Sequence, residues 1–170
     1  MFKDPSDGNL GIGHVRWATH GVANKVNAHP HSSEIVSVVH NGIIENSEKL
    51  KKELELRGSK FKSQTDTEVI TLLITEELKK NEPLEAVYKT LKRLNGSFAL
   101  GIIFKNHQNI IIGARRGSPL AVGFSKNENY LGSDSYALKS MTNKISYLND
   151  GDLCLLTKDN IEFYDLNMKK

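Results

Sequence analysis

Every histidine of the sequence except His107 lies between positions 14 and 40: His14, His20, His29, His31 and His40. The same window holds Arg16, Trp17, Thr19, Asn27 and Asn41. Polar donors at this density suit a site built on strand ends and one loop, or equally a hydrogen-bonded loop with solvated histidines. Arg16, between Val15 and Trp17, suits a carboxylate, because its planar fork can hold both oxygens at once. Asn41-Gly42 is an ordinary hairpin-turn signal. An Asn amide beside a Gly N–H is also a donor pair able to hold a developing oxyanion. Asp66, at the mouth of a helix, either favours the helix dipole or binds a ligand ammonium. His29-x-His31, with His20 or His40, could offer imidazoles to zinc. No acidic residue lies between Asp7 and Glu34 to orient such ligands, so neither a metal nor another cofactor is expected. Cys154 lies in the apolar run DLCLLT and reads as a buried, inert thiol.

These residues need elements to position them. In GIGHVRW (11–17) apolar and polar residues alternate, which predicts a strand with His14 and Arg16 on one face. Residues 18–33 read as loop, and EIVSVVH (34–40) as a strand apolar on both faces that ends at the Asn41-Gly42 turn. Asn46 is placed to cap a helix carrying Leu50 and Leu54, which Gly58 ends. Thr65-Asp66-Thr67-Glu68 has the form of a capping box opening a second helix, and Pro83 opens a third. From 97 to 165 short apolar runs alternate with turn signals, as in hairpins, with a helical stretch near Tyr136–Ser140. Strands, then helices, then strands predict an α+β fold with antiparallel sheets.

Composition narrows the classes of function. The 170 residues carry 23 Lys and Arg against 20 Asp and Glu, a net charge of +3, too small an excess to argue for a nucleic-acid partner. A single cysteine excludes a disulfide framework and a four-cysteine zinc site, and fits a reducing, cytoplasmic compartment. The N-terminus lacks the apolar core of a signal peptide. The apolar runs are far shorter than the roughly 18 residues of a membrane span, so no membrane partner is expected. No linker divides the chain, which predicts one domain over residues 1–170.

Seven segments occur in an order and spacing that resemble one family. They are GHVRWATHG (13–21), VNAHPH (26–31), VVHNGIIEN (38–46), SQTDTEVI (63–70), GSFAL (96–100), ARRGSPLAVG (114–123) and SDSYALKSMT (133–142). The family is the glutaminase domain of glucosamine-6-phosphate synthase, the glutamine–fructose-6-phosphate aminotransferase, and the resemblance spans about residues 11–165. It implies an N-terminal-nucleophile hydrolase fold, a four-layer αββα sandwich of two antiparallel sheets.

Roles follow by the same resemblance. Arg16 matches the carboxylate-binding arginine, and Asp66 the aspartate that binds the α-ammonium of glutamine. Asn41 and Gly42 match the oxyanion hole. Trp17 matches the tryptophan associated with closing the glutamine site and its ammonia channel. Thr19 and His20 match the loop that covers bound glutamine, and His29 a position near it. The implied activity is glutamine hydrolysis to glutamate and ammonia, which a sugar-phosphate isomerase domain uses to make glucosamine 6-phosphate. The family's nucleophile is an N-terminal cysteine several dozen residues before the matching arginine. Here Met1 stands 15 residues before Arg16 and no cysteine matches. The sequence is therefore expected to be a partial domain, missing the first strand and helix and the isomerase domain, and inactive alone. A glutamine- or glutamate-binding module without turnover is the alternative. Glutamine and the isomerase domain are the implied partners, and self-association into a homo-oligomer stays open.

Overall fold

Runs of β-branched and aliphatic residues between 31 and 164 form nine strands, all paired antiparallel. The computed structural model describes residues 8–16 and 21–170, so the expectations for Trp17, Thr19 and His20 lie outside the described residues. Strands β1 (His31–Ser32), β2 (Val36–Ile44), β3 (Gly96–Phe104), β4 (His107–Arg116), β8 (Leu153–Leu156) and β9 (Ile161–Tyr164) build a six-stranded sheet in the order β1-β2-β3-β4-β8-β9. Strands β5 (Ala121–Phe124), β6 (Asn129–Gly132) and β7 (Lys144–Tyr147) build a second sheet in the order β6-β5-β7.

Register decides which side chains meet. Val36, Val38 and His40 pair with Phe104, Ile102 and Leu100, and cross-strand partners share a face. That face carries the larger core. On it pack helices α1 (Ser47–Leu56) through Leu50 and Leu54, α2 (Asp66–Glu77) through Val69, Ile70, Leu73 and Ile74, and α3 (Pro83–Leu91) through Val87 and Leu91. The opposite face presents Ala99, Cys154 and Leu156 to Val122 of the smaller sheet and to Leu120 just before it. On its outer side Leu138, from the single turn α4 (Ser135–Leu138), packs against Gly132 and Gly123. The layers are thus helix, sheet, sheet, helix, as the resemblance implies. The outer helical layer is one turn among the described residues.

Four local expectations are corrected. Residues 11–16 form no strand; alternation survives only as exposure, with Val15 wholly exposed and Arg16 at φ 44°. Asn41-Gly42 is no hairpin turn, because β2 runs on to Ile44 with Gly42 inside it. Asn46 does not cap α1 with its side chain; it clamps the turn before β3, donating to Arg93 O and accepting from Asn95 N. Thr65 likewise makes no side-chain cap on α2, since its hydroxyl meets Ser63 Oγ and His31 Nε2 instead. The end of α1 behaves as expected. Gly58 adopts φ 91°, and Gly58 N and Ser59 N donate to Glu55 O and Leu54 O in a Schellman motif.

Candidate functional site

Strand β1 is only two residues long and reaches no further along β2 than Val38. Beyond that point the outer edge of β2 borders a cavity of about 300 Å³. Its lining includes His14, Arg16, His29, Asn41, Gly42 and Asp66, with Thr65 and Thr67 from the start of α2. Residues far apart in sequence therefore converge on one space. Among the sequence-predicted residues it unites Arg16, His29, Asn41, Gly42 and Asp66.

The direction of the β2 backbone follows from two hydrogen bonds. Val36 O accepts from Ser33 N, and Ile44 N donates to Asp66 Oδ2 at 2.8 Å. Alternate residues of a strand direct their N–H and C=O groups to the same side. Even-numbered residues of β2 therefore address the β1 edge, the side on which Gly42 borders the cavity and Ile44 N meets Asp66. Gly42 also adopts φ 128°, and a Cβ there would lie 2.1 Å from Ser97 O of β3. Only glycine lets the two strands stay paired at this point.

Asn41, beside Gly42 in β2, lines the same cavity, and its side chain meets His14. His14 Nε2 lies 2.6 Å from Asn41 Oδ1, and Arg16 N donates to His14 Nδ1 at 2.7 Å. Arg16 Nη1 and Nη2 donate to Val22 O and Gly21 O, which ties Arg16 to the segment that begins at Gly21. Asn27, 1 % exposed, then fixes that segment to the one before α2: its Nδ2 donates to Val22 O and Gln64 Oε1, and its Oδ1 accepts from Gln64 N.

Asp66, 6 % exposed, is the first residue of α2, so its charge also faces the positive helix end. Its Oδ1 lies 3.9 Å from His40 Nδ1. The Thr67 hydroxyl bridges His40 Nδ1 and His29 Nε2, at 3.0 Å from each. The His29 ring packs on those of His14 and His31, with centroids 4.3 and 5.1 Å away. Burial, then the neighbouring histidines and Arg16, push the His29 pKa down to about 3. Burial also lowers that of His31, against the raising pull of Glu68. His29 is thus neutral at pH 7. Of the ionic groups lining the cavity, Arg16 supplies positive and Asp66 negative charge, at separate points. That arrangement fits a zwitterion.

Among the described residues the zinc arrangement does not form, and His20, a candidate ligand, lies outside them. His29 and His31 commit Nε2 to threonine hydroxyls, and among the described residues no three His, Cys, Asp or Glu side chains form a metal-binding group. Cys154 is buried between the sheets and far from reactivity, its thiol pushed up to about 12 by burial. Sequence reasoning missed the roles of His14 and Thr67. The two-residue spacing of His14 and Arg16 hinted at the first; nothing local signals that the Thr67 hydroxyl joins two imidazoles.

A second, open cavity of about 540 Å³ lies between the sheets, bordered by Gly13, Val39, Ala99, Gly101, Leu120 and Leu131. It shares His14, Arg16, His40 and Asn41 with the first, so the two spaces adjoin at these residues.

Comparison with known proteins agrees with this layout. Residues 14–140 match the family model described as a glutamine amidotransferase domain. The chain is 53% identical over 171 residues to the glutamine–fructose-6-phosphate aminotransferase [isomerizing] of Mesorhizobium japonicum, covering 100% of this chain and 28% of that protein. The enzyme of the same name from Zymomonas mobilis is 54% identical over 167 residues, covering 98% of this chain and 28% of that protein. The chain thus spans little more than a quarter of the length of these curated relatives. Among solved structures, the glutamine phosphoribosylpyrophosphate amidotransferase of B. subtilis superposes with a TM-score of 0.73 at 25% identity, over 92% of this chain and 34% of that one. A glutamine aminotransferase class-II domain protein from Silicibacter pomeroyi shares the fold, with a TM-score of 0.66 at 17% identity over 84% of this chain and 72% of that one.

Proposed function

The chain belongs to the glutamine amidotransferase domain family, and from that premise we propose that it is the glutamine-binding, amide-activating body of a glutaminase. The observation that carries this reading is the convergence of Arg16, Asp66, Asn41 and Gly42 on one cavity. In the proposed complex Arg16 holds the α-carboxylate of glutamine and Asp66 its α-ammonium. The side-chain amide then extends toward Asn41 and Gly42. A thiolate adds to the amide carbon, and the electron pair of the C=O bond moves to oxygen. Asn41 Nδ2–H and Gly42 N–H donate to that oxyanion. Collapse expels ammonia after its nitrogen takes a proton. Water then cleaves the thioester, releasing glutamate and regenerating the thiol.

Cys154 is not that thiol, because it is buried, protonated and in the core between the sheets. We therefore propose that the 170 residues bind glutamine without turning it over. In the catalytic form the nucleophile comes from an N-terminal cysteine, as the family resemblance implies, entering by the cleft that meets the first cavity at Asn41. Trp17, Thr19 and His20 are assigned by the same resemblance to the cover of bound glutamine, and His29 to its vicinity. In the longer protein the ammonia would serve a sugar-phosphate isomerase domain that converts fructose 6-phosphate to glucosamine 6-phosphate. No helix among the described residues is long and apolar enough to cross a membrane. The reading carries a cytoplasmic location with it.

A set of analogues tests the clamp. L-glutamine should bind this chain by calorimetry. 4-Carbamoylbutanoate, which lacks the ammonium, should bind about 10- to 150-fold more weakly, the loss of one charged hydrogen-bond partner. Equal affinity for the two would remove Asp66 from the site.

A further inference from the structure

We propose that His14 is the positioning residue of the oxyanion donor: as the Nε2–H tautomer it locks the Asn41 amide with NH2 toward the substrate and Oδ1 away from it. This rests on the reading that Asn41 faces the glutamine amide.

The protons can be placed by elimination. A backbone N–H only donates, so the 2.7 Å contact from Arg16 N makes His14 Nδ1 an acceptor, bare of hydrogen. A neutral imidazole then carries its proton on Nε2. That N–H is 2.6 Å from Asn41 Oδ1 and can only donate to it. An Asn amide whose oxygen is held must present its nitrogen to the other side. Without this constraint the carboxamide could turn by about 180°, offering a lone pair where an oxyanion develops. The ring is itself held in place, packed against that of His29 with centroids 4.3 Å apart and planes tilted by 32°. One imidazole thus ties the main chain of Arg16 to the side chain of Asn41. It sets the distance between the point that reads the carboxylate and the point that reads the amide.

The test uses the 170-residue chain, with L-glutamine and L-glutamate as probes. The γ-carboxylate of glutamate only accepts hydrogen bonds, so it needs the NH2 of Asn41, whereas the glutamine amide can pair with either end. Nitrogen NMR of labelled histidine should show His14 with Nε2 protonated and Nδ1 bare. His14→Phe should shift the Asn41 side-chain amide resonances and weaken glutamate about tenfold, with a smaller effect on glutamine. His14→Gln, which places an N–H near the same point, should restore the wild-type ratio of the two affinities. A His14 ring protonated on Nδ1 would overturn the proposal. So would a His14→Phe variant, shown folded by its spectrum, with the wild-type Asn41 resonances. If the wild type binds neither ligand, the glutamine reading has failed, and the tautomer and the Asn41 resonances still decide the role of His14.

Discussion

At the scale of single residues, the proposed site sorts into groups that carry charge, groups that donate, and groups that orient the donors. Gly42 carries the sharpest constraint. Gly42→Ala places a methyl 2.1 Å from Ser97 O at a φ that alanine avoids. Strain of this kind costs about 1–3 kcal/mol before the clash is counted. We expect a clearly lower melting temperature together with lost glutamine binding, whereas Asn41→Ala, at an exposed position, should lower binding with little change in melting. Equal melting of Gly42→Ala and wild type would mean that the strand pairing at Ser97 is not as described. At 16, 41, 42 and 66 the residue types alone left two readings open, and their proposed roles come from the family resemblance. Their convergence was not legible in the sequence, since it depends on β2 continuing where Asn-Gly ordinarily turns.

Histidine titration also belongs to this scale. The folded-state pKa of His29 lies at about 3, below its ordinary 6.5. Between those values the unfolded chain binds a proton that the folded chain does not, so stability falls as pH drops from about 6.5 toward 3. His31, lowered by burial, acts in the same direction. The midpoint of urea unfolding, followed from pH 7 to pH 4, should decrease. His29→Gln should flatten the profile. A midpoint that stays level or rises toward pH 4 in the wild type would contradict neutral, buried imidazoles.

At the scale of elements, the start of α2 is the organising feature. Glu68, 9 % exposed, accepts from Lys62 N, Ser63 N and Ser63 Oγ. It reaches back past the cap position and ties down the segment whose Gln64 holds Asn27 and, through it, Val22. Glu68→Ala leaves those donors without their charged partner, at a cost of about 1.5–3 kcal/mol. Hydrogen exchange should speed up at residues 62–64, with weaker glutamine binding although Glu68 is not among the residues lining the cavity. Unchanged exchange there would show that the segment is held by other contacts. Most elements were readable: from 97 onward the β-branched runs and turn signals mark each strand. Residues 11–16 misled, because alternation reports which side chains turn inward and does not reveal whether a partner strand exists. The side chains of Asn46 and Thr65 found longer-range partners than their own helices, which local capping rules do not see.

At the scale of the whole molecule, two layers of work are separated by the six-stranded sheet. Its helix face forms the larger core and ends, past β1, in the cavity with Asp66 at its wall. Its other face packs on the smaller sheet and leaves the open cleft that meets the cavity at Asn41. On the proposed reading, one cavity holds the amino-acid end of the ligand and the other admits the reacting group. The layered order was legible from strands apolar on both faces, which must be covered twice. The meeting of two cavities was not, because it arises from the shortness of β1 and the small side of Ala99 and Gly101.

The most direct test is calorimetric titration of the 170-residue chain with L-glutamine, run beside an assay of glutamate release. The 170-residue chain should bind one glutamine saturably, weakened about 10- to 150-fold by Arg16→Ala and by Asp66→Ala, with no glutamate formed. Binding left intact by both substitutions, or glutamate released at the rate of a full-length relative, would contradict the proposed function.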